Sequence, residues 1–380
     1  MDVKLMTPGP TALLEEARAA MAAPIMHHRT EEFRAIVREC RLGLKDFFRT
    51  SDDVVILTAS GSGGMEAALV NLLSPGDKAL VASCGKFGER WADLAKAYGI
   101  DAEHLKTAVG DSIDTALIAE RLRATRPRAL FVTASETSVG VKNDLEALAR
   151  AAKDASPETL LVADAITAVG AFRFETGAWG LDAVVCGSQK ALSLPPGLAF
   201  VSLSPRAREV ASRSRLPRHY FDLPRELKKQ AEGDIGFTPA ITLVVGLRAS
   251  LAHFLRQGME SVWADAARRA AATRAGLEAM EIRRVPRQGV SESVTAAWVP
   301  EGIDGQKLLK DLQANAGIKI AGGQGDLKGK IFRISHFGPV TGEDTVACLA
   351  GIEELMRRAG RPVAAGTAAA AAQGAMRSFA

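Results

Sequence analysis

Residues 184–197, Val-Val-Cys-Gly-Ser-Gln-Lys-Ala-Leu-Ser-Leu-Pro-Pro-Gly, begin as an apolar run and end in a turn, with Lys190 between the two. A lysine where a strand leaves the core is usually a solvated surface residue, its stem packed and its ammonium in water. The other arrangement is a lysine in a partly dry cleft, where desolvation and neighbouring cations lower its pKa and free the amine for Schiff-base chemistry. The rest of the chain decides between them.

Upstream, the runs Val54–Leu57, Ala79–Ala82, Ala129–Val132 and Thr159–Ala163 share the continuous apolar character of Ala183–Cys186. Such runs suit strands buried on both faces. Helix-period segments lie between them, at Met65–Leu73, Glu89–Tyr98, Ile113–Ala124 and Asp144–Ala155. The βα alternation predicts an α/β fold: a large domain with a mostly parallel sheet covered by helices. After Pro239 a long helical tract is expected over roughly 240–280. Strands near 293–299, 318–321 and 331–335 and helices near 305–314 and 342–358 then read as a smaller C-terminal α+β domain. The expected division is an N-terminal segment (1–20), a large domain (21–255), a small domain (256–360) and a loose tail (361–380) rich in Pro, Ala, Gly and Ser.

Composition narrows the function. The chain has 380 residues and a formal net charge of +4, with both signs interspersed, so neither nucleic acid nor a membrane is an expected partner. Its cysteines, Cys40, Cys84, Cys186 and Cys348, form no CxxC pair. A reduced, cytoplasmic protein without a metal site is expected. The start, MDVKLMTPGPT, carries no secretory leader pattern, and no apolar segment approaches the length of a membrane span.

Two further stretches bear on Lys190. Thr58–Leu69, TASGSGGMEAAL, follows a buried strand and opens a helix; its small residues let backbone N–H groups approach an anion. The spacing matches neither GxxxxGK[ST] nor GxGxxG, which speaks against a nucleotide and leaves a lone phosphate group as occupant. Asp164, in VADAITAVG, comes immediately after the strand before the one that leads to Lys190. There a carboxylate either caps a helix or points into the crevice where open α/β sheets bind ligands. Lys190, Asp164 and a phosphate turn in one crevice fit pyridoxal phosphate, with the lysine on the aldehyde and the aspartate holding the ring nitrogen protonated.

On these residues the sequence resembles the class V, fold-type I pyridoxal-phosphate aminotransferases of the alanine–glyoxylate and serine–pyruvate group. The resemblance runs from MTPGPT through HHRTEEF, ASGSGGMEAALVNLLSPGD, the segment around Thr137 and Gly140, VADAITAVG and GSQKALSLPPG to FRISHFG. It implies a seven-stranded large-domain sheet and a homodimer that shares its active site. By position, it implies that Lys190 is catalytic, that Asp164 pairs with the pyridinium, and that Ser60, Gly61, Ser62 and Gln189 hold the phosphate with Thr238 of the neighbouring subunit. Phe87 stacks on the cofactor, in place of a tryptophan found in some members; Thr137 lies near its phenolic oxygen, and Ile166 adds to the cofactor site. Arg333, an arginine inside an apolar strand, needs an anion or a watery opening, and the resemblance implies that it clamps the substrate α-carboxylate. Gly9 lies where the N-terminal segment lines the substrate site. Ile235 stands where many relatives have an aromatic, and His27, His28 and Arg29 either approach the site across a dimer or form a solvated turn.

The implied activity is ping-pong transfer of an amino group from alanine or serine to glyoxylate or pyruvate. Alternatives are another donor, such as aspartate or an aminophosphonate, or a lyase of the same fold. A cysteine desulfurase would need Cys348 as nucleophile, a residue whose helical context reads as packing. A non-catalytic binding protein is the remaining alternative.

Overall fold

The computed structural model describes residues 3–379. In chain order, β1 (Lys4–Leu5), α1 (Glu15–Met21) and α2 (Glu31–Phe48) lead into β2 (Asp53–Ala59), α3 (Gly61–Leu72), β3 (Lys78–Ser83), α4 (Lys86–Ala97) and β4 (Asp101–Lys106). Next come α5 (Thr115–Thr125), β5 (Ala129–Thr133), the pair β6 (Ser135–Glu136) and β7 (Val141–Lys142), and α6 (Leu145–Ala155). The large sheet is completed by β8 (Leu160–Asp164), β9 (Ala183–Gly187) and β10 (Gly197–Leu203), followed by α7 (Pro205–Arg213), α8 (Leu223–Ala231), α9 (Ile241–Gln257) and α10 (Met259–Ala279). The small domain adds β11 (Val294–Trp298), α11 (Gly305–Ala316), β12 (Ile318–Lys319), β13 (Ala321–Gly322), β14 (Ile331–Ser335), α12 (Gly342–Arg358) and α13 (Thr367–Arg377).

The seven-stranded sheet has the order β2-β10-β9-β8-β5-β3-β4. Only β10 runs against its neighbours, antiparallel to both β2 and β9. Alternate residues of each central strand feed opposite cores, as the two-residue repeat of a strand requires. Leu130, Val132, Leu161 and Val184 join α2, α5, α6 and α9 on one face. Ala129, Phe131, Val162 and Val185 join α3, α4, α7 and α8 on the other. Two strands escape a search for apolar runs. β4, Asp-Ala-Glu-His-Leu-Lys, is an edge strand with exposed or half-buried side chains throughout, and β10 hides behind the Pro-Pro-Gly turn.

The helix α3 begins four residues before the expected Met65, because the glycine run is its first turn. A Cβ on Gly64 would stand 2.8 Å from Val185 Cγ1 and 3.1 Å from Ala199 Cβ, so this helix lies closer to β9 and β10 than alanine would allow. The tract over 240–280 is two helices broken at Gly258. α9 packs on α1 and α2, whereas α10 packs on α12 and α13. In the small domain β11, β14 and β13 form an antiparallel sheet. β1 pairs in parallel with β12, so the N-terminal strand belongs to this half of the molecule.

The tail expected to be loose is a correction. Residues 367–377 form α13, with Ala368 and Ala372 fully buried and the Glu353 carboxylate accepting from Gly366 N and Ala368 N at 2.6 and 2.7 Å. Alanine has the highest helix propensity, and its small size lets backbones meet. A Cβ on Gly276 of α10 would lie 3.1 Å from Ala368 O. Composition alone misjudged a segment that packs by close approach rather than by bulky side chains.

Candidate active site

The C-terminal ends of β2, β5, β8 and β9 open into one cavity, the place where open α/β sheets bind ligands. Its lining includes Ser60, Gly61, Ser62, Phe87, Thr137 and Asp164, together with Ile166, Gln189 and Lys190. Nine residues singled out from sequence therefore converge on one space. Arg90, Ser135 and Thr167 complete the lining.

Each side chain is placed by a local device. Asp164 is the last residue of β8; one of its oxygens accepts Ile166 N–H at 2.9 Å, and the other has no donor among the described residues. Burial pushes its pKa up to about 7, opposed by the Ile166 N–H and by the charges of Arg90 and Lys190. A carboxylate held dry in this way favours a cationic partner. Lys190 follows β9 by three residues in a turn whose carbonyl accepts from Ser193 N. Its Nζ donates to Pro8 O at 2.6 Å, and burial, with Arg333 and Arg90 nearby, brings its pKa down to about 8. The N-terminal segment is tied to the same turn, with Thr11 N donating to Gln189 O and Thr11 Oγ1 to Lys190 O. Gly9 has φ +126°, and a Cβ there would stand 2.1 Å from Lys190 Nζ, so only glycine lets this segment cross the lysine.

One end of the cavity lies at the start of α3. Ser60 is the N-cap residue, yet its side chain does not cap, which leaves first-turn N–H groups open toward the cavity. A Cβ on Gly61 would lie 2.5 Å from Ile166 Cδ1. Across from it, Gln189 Oε1 is buried with no hydrogen-bond partner. Phe87 is held from behind: Glu136, fully buried, accepts from Phe87 N at 3.0 Å, Gly88 N at 2.8 Å and Ser138 Oγ at 2.6 Å. Burial raises the Glu136 pKa, and these bonds oppose the rise. Neither Glu136 nor Arg90 was picked out from sequence. The available signal was an acid inside the otherwise uncharged run Thr133–Val141 and an arginine one helical turn after Phe87.

Arg333 sits on the central strand of the small sheet, 5% exposed. Its Nε and Nη2 donate to Gly322 O at 2.9 and 2.7 Å, and its Nη1 donates to Thr137 O at 3.0 Å. Three of five N–H groups are thus spent bridging the small domain to the cavity wall. One N–H each on Nη1 and Nη2 has no acceptor among the described residues. Burial lowers its pKa to about 10, and the nearby Glu136 charge works against that.

Other expected residues lie elsewhere. Thr238 is exposed and outside the cavity, and Ile235 packs against the large-domain core. His27 and His28 stack on each other at 4.6 Å, with His27 Nδ1 accepting from Arg29 N, in the turn before α2 and away from the cavity lining. Cys348 is fully buried in α12, and burial pushes its thiol up to about 12, which removes it as a desulfurase nucleophile. Among the described residues there is no group of three or more His, Cys, Asp or Glu placed to hold a metal, and no helix is long and apolar enough to cross a membrane.

An amine with lowered pKa, a dry carboxylate with an open oxygen, an unpartnered amide oxygen and a free helix start fit an aldehyde-bearing pyridine phosphate. Fold and cavity thus define an α/β enzyme of the kind that works through a lysine-bound cofactor. Comparison with known proteins gives the family. The model of the class-V aminotransferases matches residues 11–336. The chain is 38% identical to the soluble hydrogenase 42 kDa subunit of Anabaena cylindrica, over 98% of this chain and 99% of that one. It is 35% identical to the L-aspartate–glyoxylate aminotransferase of Paracoccus denitrificans, over 97% and 95% respectively. The crystal structure of a subgroup IV aspartate aminotransferase from Thermus thermophilus superposes with a TM-score of 0.88 at 40% identity, covering 93% of this chain and 99% of that one. The chain belongs to the class-V aminotransferases. It is a transaminase that depends on pyridoxal phosphate.

Proposed function

We propose that the protein moves an amino group from alanine or serine to glyoxylate or pyruvate, with Lys190 as the catalytic residue. The observation that carries this reading is the Lys190 amine, brought to about 8 by burial, in one cavity with the Asp164 carboxylate. Pyridoxal phosphate supplies an electron sink that acidifies the α-C–H of an amino acid joined to it. Lys190 Nζ takes that proton and returns it, acting as base and then acid near neutral pH. Asp164 holds a proton on the ring nitrogen through its open oxygen. Ser60, Gly61, Ser62 and Gln189 would receive the phosphate, Phe87 and Ile166 would cover the ring, and Thr137 would meet the phenolic oxygen. Arg333 forks the substrate carboxylate with its two free N–H groups, and Gly9 leaves room beside a small side chain.

The exposure of Thr238 suits a homodimer in which the partner subunit's Thr238 closes the phosphate site. Four buried, unpaired cysteines suit a reducing, cytoplasmic setting. A second reading replaces the donor by aspartate, favoured by the two similar proteins named for that amino acid.

The test uses the purified holoenzyme in half-reactions, following the visible band of the lysine-bound cofactor. Alanine or serine should bleach the band within a turnover, glyoxylate or pyruvate should restore it, and Lys190→Ala should lack the band with kcat reduced at least about 10³-fold. Bleaching by aspartate alone would replace this donor assignment by the second reading. An unchanged band in Lys190→Ala would remove Lys190 from its role.

A further inference from the structure

Arg90 is the one guanidinium among the residues that line the cavity. It is half-buried, one helical turn after Phe87 on α4, and no carboxylate lies within ion-pair distance of it among the described residues. Some arginines of the large domain pair with acids, as Arg41 does with Asp53 and Arg206 with Asp182, whereas Arg218 spends its N–H groups on carbonyls and the Ser214 hydroxyl. Arg90 instead turns inward. Its Nη1 donates to Ser62 Oγ at 2.8 Å, and its guanidinium lies 5.3 Å from the centroid of the Phe87 ring. A half-desolvated cation without an anion is costly, and retaining one inside a ligand cavity points to an anion that arrives with the ligand.

The neutral groups at this end of the cavity cannot balance such an anion. The start of α3 offers N–H groups and part of a helix dipole, Ser60 and Ser62 offer hydroxyls, and Gln189 offers an amide. A phosphate monoester near neutral pH carries close to two negative charges. Lys190 is committed to the aldehyde, and Arg333 reaches Thr137 and Gly322 rather than the α3 start.

We propose that Arg90 is the countercharge of the cofactor phosphate, acting through the Ser62 hydroxyl that it donates to. With one N–H of Arg90 spent on its oxygen, Ser62 is left to donate its own proton to the phosphate. The hydroxyl then links cation and anion with every hydrogen bond aligned. Arg90 is thus a positioning residue whose effect passes through the phosphate. The inference rests on the cofactor assignment, and its test is separable from that of the amino-transfer reading.

The experiment compares binding of pyridoxal phosphate and of phosphate-free pyridoxal to the apoprotein, by titration of the visible band, for wild type, Arg90→Met and Arg90→Lys. Arg90→Met should weaken pyridoxal phosphate roughly 10- to 100-fold, the range of a charge-assisted hydrogen bond, while pyridoxal changes by less than about threefold. Arg90→Lys, which restores the charge, should recover most of the loss. Equal weakening for both ligands would show that Arg90 only shapes the cavity and would overturn the proposal, as would unchanged phosphate-ester binding in Arg90→Met. Wild-type protein that forms the band with neither ligand would overturn the cofactor reading itself.

Discussion

The floor of the cavity and the wall that faces it are built on different plans. The floor takes Ser60, Asp164 and Lys190 from positions at or within three residues of the ends of β2, β8 and β9, so the sheet itself sets their spacing. The facing wall is backed, behind the lining residues Thr137 and Lys190, by Arg333 on β14, the carbonyl of Gly322 and the N-terminal turn at Pro8–Gly9, which meet only because β1 pairs with β12 and Met6 O accepts from Ser335 N. A floor held by strand ends is rigid before any ligand arrives. The wall depends on how the small domain sits. Chemistry that needs fixed distances belongs on the first, and recognition of a substrate that must enter and leave belongs on the second.

The sharpest way to break the floor without moving it is Asp164→Asn, which keeps shape and the bond from Ile166 N but removes the charge. Taking one member from a buried charge pair costs several kcal/mol. The expected outcome is a kcat lower by roughly 10²- to 10³-fold, with the cofactor still bound to Lys190. Steady-state rates together with the visible spectrum check this. A rate within about threefold of wild type would show that the ring nitrogen is held by some other group.

On the wall the expected effect is smaller and of a different kind. Arg333→Ala should raise KM for both the amino and the oxo acid by about 10- to 100-fold and change kcat less, because the carboxylate is gripped alike in ground and transition states. Arg333→Lys should recover only part of this, since an ammonium cannot fork a carboxylate. The same truncation leaves Thr137 O and Gly322 O without their donor. Urea unfolding should therefore show a loss of about 1–3 kcal/mol in Arg333→Ala. If KM for both substrates stays at wild-type values, the wall does not bind the carboxylate.

The same contrast explains what could be read from the chain. Strands buried on both faces announce themselves as apolar runs, and a ligand residue directly after such a run inherits its position. Asp164, Lys190 and the Ser60 turn were legible for that reason, and Arg333 was legible as a charge inside an apolar strand. Glu136 and Arg90 were not, because their meaning lies in partners far along the chain: Glu136 in the backbone of Phe87 and Gly88, Arg90 in Ser62. β4 lacked an apolar run because an edge strand needs none. α13 was misread because alanine and glycine pack by backbone approach, which side-chain composition does not record.

The finest test of the contrast uses protonation rather than mutation of shape. In the apoprotein Asp164 titrates at about 7, whereas an unfolded aspartate titrates near 3.9. A raised pKa means that the folded state holds a proton the unfolded state has given up. The proton-linked stability is full below about pH 3.9 and is lost as pH rises toward 7. The amide that replaces the carboxyl in Asp164→Asn does not titrate, so this variant should match wild type near pH 4 and become the more stable apoprotein as pH rises. By about pH 8 the gap should reach about 1–3 kcal/mol and then level off. The Asp164 charge also holds the Lys190 pKa up, so its loss in the variant takes back part of the gap at about pH 8. Urea unfolding of the two cofactor-free proteins at several pH values measures the gap directly. A gap of the same size at about pH 4.5 and about pH 8 would mean that Asp164 is not held dry, and the rigidity assigned to the floor would lose its electrostatic signature.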